Sequence, residues 1–123
     1  MNNPYASYKS QSIQTMTSGE MIIALYEGLI KQLNLALVYL EEKNIPEVHL
    51  SLVKSQDIIN YLISTLNPEV EISRSILPYY ELFNRQITDA NIKKDSSIIQ
   101  GILPIIEEFK QIFIQADRLS RIK

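Results

Sequence analysis

Four segments of this chain carry residues at alternating spacings of four and three that are all apolar except Ser55, and this pattern constrains the fold more than any other feature. The four sets are Ile22, Tyr26, Leu29, Leu33, Ala36 and Leu40; Val48, Leu52, Ser55, Ile59, Leu62 and Leu66; Ile76, Tyr80, Phe83, Ile87 and Ala90; and Ile98, Ile102, Ile105, Phe109, Ile112, Ala116 and Leu119. Such spacing places each set on one face of an α-helix, as in the helices of a bundle. Because short connections join the segments, the pattern predicts an all-α fold, an antiparallel up-down four-helix bundle.

Capping residues predict where the helices begin. Thr17 and Glu20 form a T-x-x-E capping box at the start of the first helix, and Asp95 is expected to cap the fourth. The predicted helices span residues 18–43, 46–66, 74–92 and 96–121. They form one bundle domain over residues 15–123, preceded by an N-terminal arm, or short cap helix, over residues 1–14.

Composition limits the classes of function. A chain of 123 residues with a net charge of −2 and interspersed charges suits one soluble domain and lacks the basic footprint of a nucleic-acid-binding protein. The absence of cysteine fits a reducing cytosol. The first residues lack the pattern of a secretory signal, and no apolar run is expected to approach the ~18 residues of a membrane helix. The chain is therefore predicted to be cytoplasmic, with no nucleic-acid partner and no membrane span.

Residues that could support catalysis or metal binding are scarce. His49 is the only histidine, and no phosphate-binding, dinucleotide-binding or nucleophile-elbow motif occurs. We therefore expect no enzyme activity, no catalytic residue, no metal and no cofactor. One histidine on a bundle also suggests a histidine-phosphotransfer domain. His49 lies near the start of helix 2 with Lys54 off its face, so a surface histidine is the preferred interpretation.

The first and fourth segments carry more apolar residues than one bundle face requires. Leu25 is one of several such residues in helix 1. In helix 4 a second stripe includes Ile99, Leu103, Ile106, Phe113 and Ile114. Surplus apolar surface predicts a partner groove, self-association or a large core. Because no catalytic constellation is present, binding of an amphipathic helix in a groove is the most economical function.

Three separated motifs and one late aromatic residue stand in a fixed order along the chain. Tyr8 leads into T-M-T-S-G-E-M at 15–21 and L-Y-E-G at 25–28. K-S-Q-D-I-I at 54–59 precedes Leu62, and the third motif contains Tyr80, Phe83, Arg85, Ile87, Ala90, Asn91 and Asp95. Phe113 is the late aromatic residue. Over nearly the whole chain, from Tyr8 to Ala116, this order resembles the FliS family of flagellin-specific export chaperones.

The resemblance implies a chaperone rather than an enzyme. A FliS-like protein would bind newly made flagellin in the bacterial cytoplasm through flagellin's C-terminal segment, which is disordered when free. Capture would prevent premature polymerisation, and the loaded chaperone would help to deliver flagellin to the export gate of the flagellar type III secretion apparatus. Such a protein is expected to be a monomer or a weak dimer. The main alternative is a self-associating helical adaptor with no chaperone role.

The resemblance and the apolar stripes together nominate residues that contact the partner. They are Tyr8, Ile13, Leu25, Tyr26, Tyr80, Ile99, Leu103, Ile106 and Phe113. Tyr26 lies on the helix 1 seam, so a core position is its preferred interpretation and a partner contact the alternative. Tyr8 and Ile13 are expected either to cover an apolar groove until flagellin binds or to staple the arm permanently to helix 1. Pro78 and Pro104 stand where the family has ordinary helix formers, and both are expected to affect the shape of their helices.

Overall fold

The computed structural model describes residues 16–122, and these form helices α1 (Ser18–Glu41), α2 (Ile45–Ser64), α3 (Glu71–Lys93) and α4 (Ser96–Ile122). Consecutive helices pack side by side, and α4 returns to pack against α1. Residues 16–122 contain no strand. The predicted all-α four-helix bundle is therefore confirmed. The predicted arm, with Tyr8 and Ile13, lies outside the described residues.

The helix starts show which local signals the chain uses. The Thr17 hydroxyl accepts the Glu20 backbone N–H at 3.2 Å, and the Glu20 carboxylate accepts the Thr17 N–H at 3.0 Å, so the predicted capping box is present. The Asp95 carboxylate accepts the Ser97 N–H at 2.9 Å, which confirms its capping role at α4. Both α3 and α4 continue through their internal prolines.

Helix α3 begins earlier than the predicted residue 74. The backbone turns at residues 67–70, where the Val70 N–H donates to the Asn67 carbonyl at 3.0 Å. The Val70 carbonyl then accepts the Ser73 N–H at 3.1 Å, which starts the helix without a side-chain cap. Sequence signals missed this start because valine is not a capping residue.

The core confirms the predicted seams of the first three helices, but that of the fourth only in part: Ile102 is buried, and Ile98, Ile105 and Phe109 pack against the core while partly exposed. The buried seam residues are Tyr26, Leu29, Leu33 and Ala36; Val48, Leu52, Ser55, Ile59 and Leu62; and Ile76, Tyr80, Phe83, Ile87 and Ala90. In α4, Ile99 and Ile106 are fully buried, whereas Ile112 and Leu119 are 56% and 63% exposed. The stripe interpreted as surplus therefore contributes to the core, and part of the predicted seam lies on the surface. Two apolar stripes run along α4, and periodicity alone does not decide between them.

Helix α1 corrects one expectation about membranes. By length and composition it is apolar enough to span a membrane, although the sequence was expected to contain no such run. A helix in the core of a soluble bundle passes the same test. In this structure α1 contributes Leu25, Tyr26, Leu29, Ile30, Leu33 and Ala36 to the buried core.

Polar side chains close the outer edge between α2 and α3. The Gln56 side-chain amide donates to the Thr88 hydroxyl at 2.7 Å and to the Asn84 carbonyl at 3.3 Å. The Asn84 amide donates to the Asn60 side-chain oxygen at 2.9 Å. This edge is therefore joined by directional hydrogen bonds, in contrast to the apolar edge between α3 and α4 described next.

Candidate functional site

Helices α3 and α4 leave an apolar groove of about 250 Å³ between them, at the end of the bundle where α1 begins. We term it the α3–α4 groove. It is lined by Ile72, Ser75, Ile76 and Tyr79 from α3 and by Phe109, Ile112, Phe113 and Ala116 from α4. Each set covers about two helical turns, or ~10 Å of helix axis. The groove therefore matches the footprint of a short helical segment.

Large apolar side chains are exposed around this groove. Ile72 is 64% exposed, Tyr79 is 47% exposed and Ile112 is 56% exposed. One turn beyond Ala116, Leu119 is 63% exposed. Full burial of such a side chain contributes ~1.5–3 kcal/mol, and contiguous exposed apolar surface marks interaction sites. The groove is thus a surface that would be stabilised by a partner.

Aromatic rings connect the groove to the core. The Phe113 ring centroid lies 5.4 Å from that of buried Tyr26. The Phe109 ring lies 5.1 Å from that of Tyr79, almost perpendicular to it, and 5.9 Å from that of buried Phe83. These distances suit favourable aromatic packing. The base of the groove is consequently continuous with the packed interior.

Beneath this base, two tyrosine hydroxyl groups form a buried hydrogen bond. The hydroxyl oxygens of Tyr26 and Tyr80 are 2.7 Å apart, and the residues are 0% and 2% exposed. Burial raises the pKa of both phenols above the ordinary value, because the charged form would lose its hydration. Both side chains therefore stay neutral and satisfy each other within the core.

The structure separates the seven nominated contact residues among residues 16–122 into three groups. Leu25, Tyr26, Tyr80, Ile99 and Ile106 are buried, because their helix faces point to the bundle interior. A partner could reach these side chains only if the bundle opened. Leu103 is partly buried against the core. Of the described nominated residues, Phe113 lines the groove.

Sequence reasoning missed most of the groove. Tyr79 lies beside the predicted α3 seam, and Ile72 precedes the predicted start of that helix. Ile112 and Ala116 were assigned to the core seam of α4, although both are exposed. The available signal was the coexistence of two apolar stripes on α4, since a bundle buries only part of such a helix.

His49 is exposed at the opposite end of the bundle. Its Nδ1 atom lies 3.0 Å from the side-chain nitrogen of Asn91 on α3. Within residues 16–122, no group of three or more His, Cys, Asp or Glu side chains could hold a metal ion. The ring therefore has a local polar neighbour that accounts for its position.

The N-terminus of α1 meets the C-terminal part of α4 beside the groove. Gly19 lies so close to Asp117 that an added Cβ atom would overlap the carboxylate. The Arg121 guanidinium contacts the Asp117 carboxylate at 3.2 Å and the Glu20 carboxylate at 3.5 Å. The chain thus enters α1 next to the α4 residues that flank Ala116.

Comparisons with known proteins agree over nearly the whole chain. The family model described as flagellar protein FliS matches residues 1–120. The flagellar secretion chaperone FliS of Bacillus subtilis (strain 168) is 32% identical over 121 residues, covering 98% of this chain and 91% of that protein. The flagellar secretion chaperone FliS of Vibrio cholerae serotype O1 (strain ATCC 39315 / El Tor Inaba N16961) is 29% identical over 121 residues, covering 94% and 89%.

Proposed function

We propose that this chain, which belongs to the FliS family of flagellar proteins, is a cytoplasmic export chaperone that binds the C-terminal segment of flagellin. Binding prevents premature polymerisation of flagellin and helps to deliver it to the flagellar type III export apparatus. The export gate protein is the proposed receptor for the loaded complex. Two relatives named flagellar secretion chaperones support this proposal, and the exposed α3–α4 groove is the structural observation that carries it.

The shape of the groove favours a helical ligand. A helix lying along about two turns presents apolar side chains at positions i, i+3 or i+4, and i+7 to such a surface. Phe109 and Phe113 form the base, while Ile72 and Ile112 flank it from opposite helices. We infer that an amphipathic helix of flagellin covers the exposed side chains and excludes water from them.

The energetics suit a chaperone that must later release its ligand. Ile72, Tyr79, Ile112 and Leu119 are 47–64% exposed, so covering them contributes ~1–2 kcal/mol each, about half to two thirds of the value for a fully exposed side chain. Ordering a disordered segment offsets this gain by ~2–5 kcal/mol or more. The difference allows firm capture without irreversible binding.

We propose a second role for residues 1–14 as a temporary cover of the same groove. The chain enters α1 beside Asp117, close to the groove residue Ala116. An extended arm of this length reaches up to ~3.3–3.6 Å per residue, which is several times the ~10 Å length of the groove. Tyr8 and Ile13 are the apolar side chains that would occupy it before flagellin binds.

Calorimetry with a peptide covering the C-terminal segment of the cognate flagellin tests the main proposal. We expect one-to-one binding with a negative heat-capacity change, since apolar surface is buried, and a gain of helix in circular dichroism. Ile112→Asp is expected to weaken binding at least ~10-fold, because a charge would be placed in the apolar contact. Ile92→Asp is the matched control, since Ile92 is 77% exposed on α3 away from the groove.

The outcomes separate the competing functions. Equal loss of affinity in both variants would reject the groove as the site, while absence of binding to wild-type protein of confirmed fold would reject the chaperone proposal. If wild-type protein does not bind the peptide, self-association measured by light scattering would favour the alternative function, a helical adaptor.

Deletion of residues 1–14 tests the arm. A cover predicts tighter peptide binding and more self-association, with an unchanged melting temperature. A permanent staple predicts a lower melting temperature with neither of those changes.

A further inference from the structure

The α3 side of the groove begins in a segment with its own internal hydrogen bonds. The Asn67 N–H donates to the Ser73 hydroxyl at 3.2 Å, and the Arg74 guanidinium donates to the Pro68 carbonyl at 2.8 Å. These bonds join the α2–α3 connection to the first turns of α3. We term residues 67–77 the wall segment, because it carries Ile72, Ser75 and Ile76 of the groove.

The wall segment lacks stabilising hydrogen bonds at two positions, the start of α3 and Pro78. Val70 provides no side-chain hydrogen bond at the start of the helix, so its first N–H groups lack that stabilisation. Pro78 has no N–H and cannot donate to the Arg74 carbonyl, which removes one helical hydrogen bond directly after the wall segment.

The wall segment buries less apolar surface than the rest of α3, although the same helix face is buried throughout, with Ser73 and Ile76 9% and 8% exposed. Val70 and Ile72 are 43% and 64% exposed, and Ile76 is the side chain that the segment contributes to the buried apolar core. From Tyr80 onward, α3 buries Tyr80, Phe83, Ile87 and Ala90 in that core. Few buried apolar contacts and missing helical hydrogen bonds are the features of locally opening segments.

We propose that residues 67–77 move as one unit about Pro78, and that this movement widens the α3–α4 groove to admit a ligand. Residues 80–93 remain packed during the movement, so the bundle stays folded. Only the link to ligand entry rests on the proposed function, because the movement itself is a property of the free protein.

Hydrogen exchange of the free protein measures this movement directly. Amides of residues 72–77 are expected to exchange faster than those of residues 80–90. Pro78→Ala restores the missing donor and is expected to slow exchange in residues 72–77 about tenfold, equivalent to ~1.4 kcal/mol. Pro104→Ala is the matched control, since Pro104 is also an exposed proline inside a helix but lies in α4. Unchanged exchange in Pro78→Ala, or equal slowing in Pro104→Ala, would overturn the hinge.

Calorimetry with the flagellin C-terminal peptide tests the link to ligand entry. If only the widened groove binds, a tenfold smaller open population raises the apparent Kd of Pro78→Ala by up to about tenfold. Pro104→Ala is expected to bind as wild type does. An unchanged Kd in a Pro78→Ala protein with slowed exchange would overturn ligand entry through the hinge while leaving the proposed function intact. Failure of wild-type protein to bind would reject the proposed function. The hydrogen-exchange comparison would then be the remaining test of whether residues 67–77 move about Pro78.

Discussion

The buried hydroxyl pair of Tyr26 and Tyr80 gives the sharpest prediction of stability. Its oxygen–oxygen distance of 2.7 Å is typical of a good O–H···O hydrogen bond. Tyr80→Phe leaves the Tyr26 hydroxyl buried without that partner, which is expected to cost ~1–3 kcal/mol. Tyr26→Phe is expected to cost a similar amount, because Tyr80 is equally enclosed.

The double variant makes the reasoning refutable. Replacing both tyrosines with phenylalanine removes the unsatisfied group, so it is expected to be nearly neutral. Urea unfolding of the four proteins should therefore show a non-additivity of ~2–6 kcal/mol, because the double variant avoids the costs of both single variants. At about this chain length each kcal/mol shifts the melting temperature by ~3–6 °C. Single variants as stable as wild type, or a double variant that loses the sum of both costs, would refute the assigned role of the hydrogen bond.

Alkaline pH examines the same pair without mutation. Burial raises the pKa of Tyr26 and Tyr80 in the folded protein, whereas the ordinary value is 10.0. The unfolded chain therefore loses these protons first as the pH rises. The corresponding stability is fully present below pH 10 and declines above it by up to ~1.4 kcal/mol per pH unit for each tyrosine. Tyr26→Phe should reduce that slope in urea titrations, and an unchanged slope would contradict the argument.

Three further predictions concern the start of α1. Gly19→Ala is expected to destabilise wild type by ~1 kcal/mol. In an Asp117→Ala background the carboxylate is gone and only the Cβ atom of residue 117 stays close, so the cost is expected to be nearly cancelled by the helix propensity of alanine. An equal cost in both urea series would refute the close approach of the carboxylate. Thr17→Ala should lower the free energy of unfolding by ~0.5–2 kcal/mol through loss of the cap, as checked by thermal unfolding. Hydrogen bonds with Thr17 hold the pKa of the Glu20 carboxyl below its ordinary value of 4.5. The stability that the Glu20 carboxylate contributes is therefore fully present above pH 4.5 and is lost as the pH falls through the lowered pKa. Glu20→Gln should flatten the acid-unfolding curve there.

The bundle itself could be predicted because its signals are local and repeated. The Thr17 capping box depends on residues three apart, and the seams of α1, α2 and α3 repeat one spacing over several turns. In α1 the off-seam apolar residues Leu25 and Ile30 are buried as well, so they widen the predicted core face without replacing it. These conditions make periodicity a sufficient guide to helix type and core face.

The groove could not be predicted in the same way because it depends on which stripe of α4 is buried. Ile99 and Ile112 are equally apolar, yet one is fully buried and the other mostly exposed. The orientation of α4 is a tertiary property, and its packing against α1 accompanies the contact between Gly19 and Asp117. The early start of α3 likewise depends on backbone turns that no capping side chain announces.

The two edges of α3 differ in a way that favours one of them as a binding surface. Toward α2, the Thr88 hydroxyl accepts a hydrogen bond from Gln56 and the Asn84 amide donates one to Asn60. A partner that bound at this edge would have to break these bonds. Toward α4, Ile72, Tyr79 and Ile112 present exposed apolar surface, which a partner can cover without leaving such polar groups unpaired. A ligand therefore gains more free energy at the α3–α4 edge, even when both edges are equally accessible. Because, within residues 16–122, no such hydrogen bonds hold the wall segment at the α3–α4 edge, it can also move at that edge. The apolar character of this edge therefore favours both ligand binding and movement of the segment.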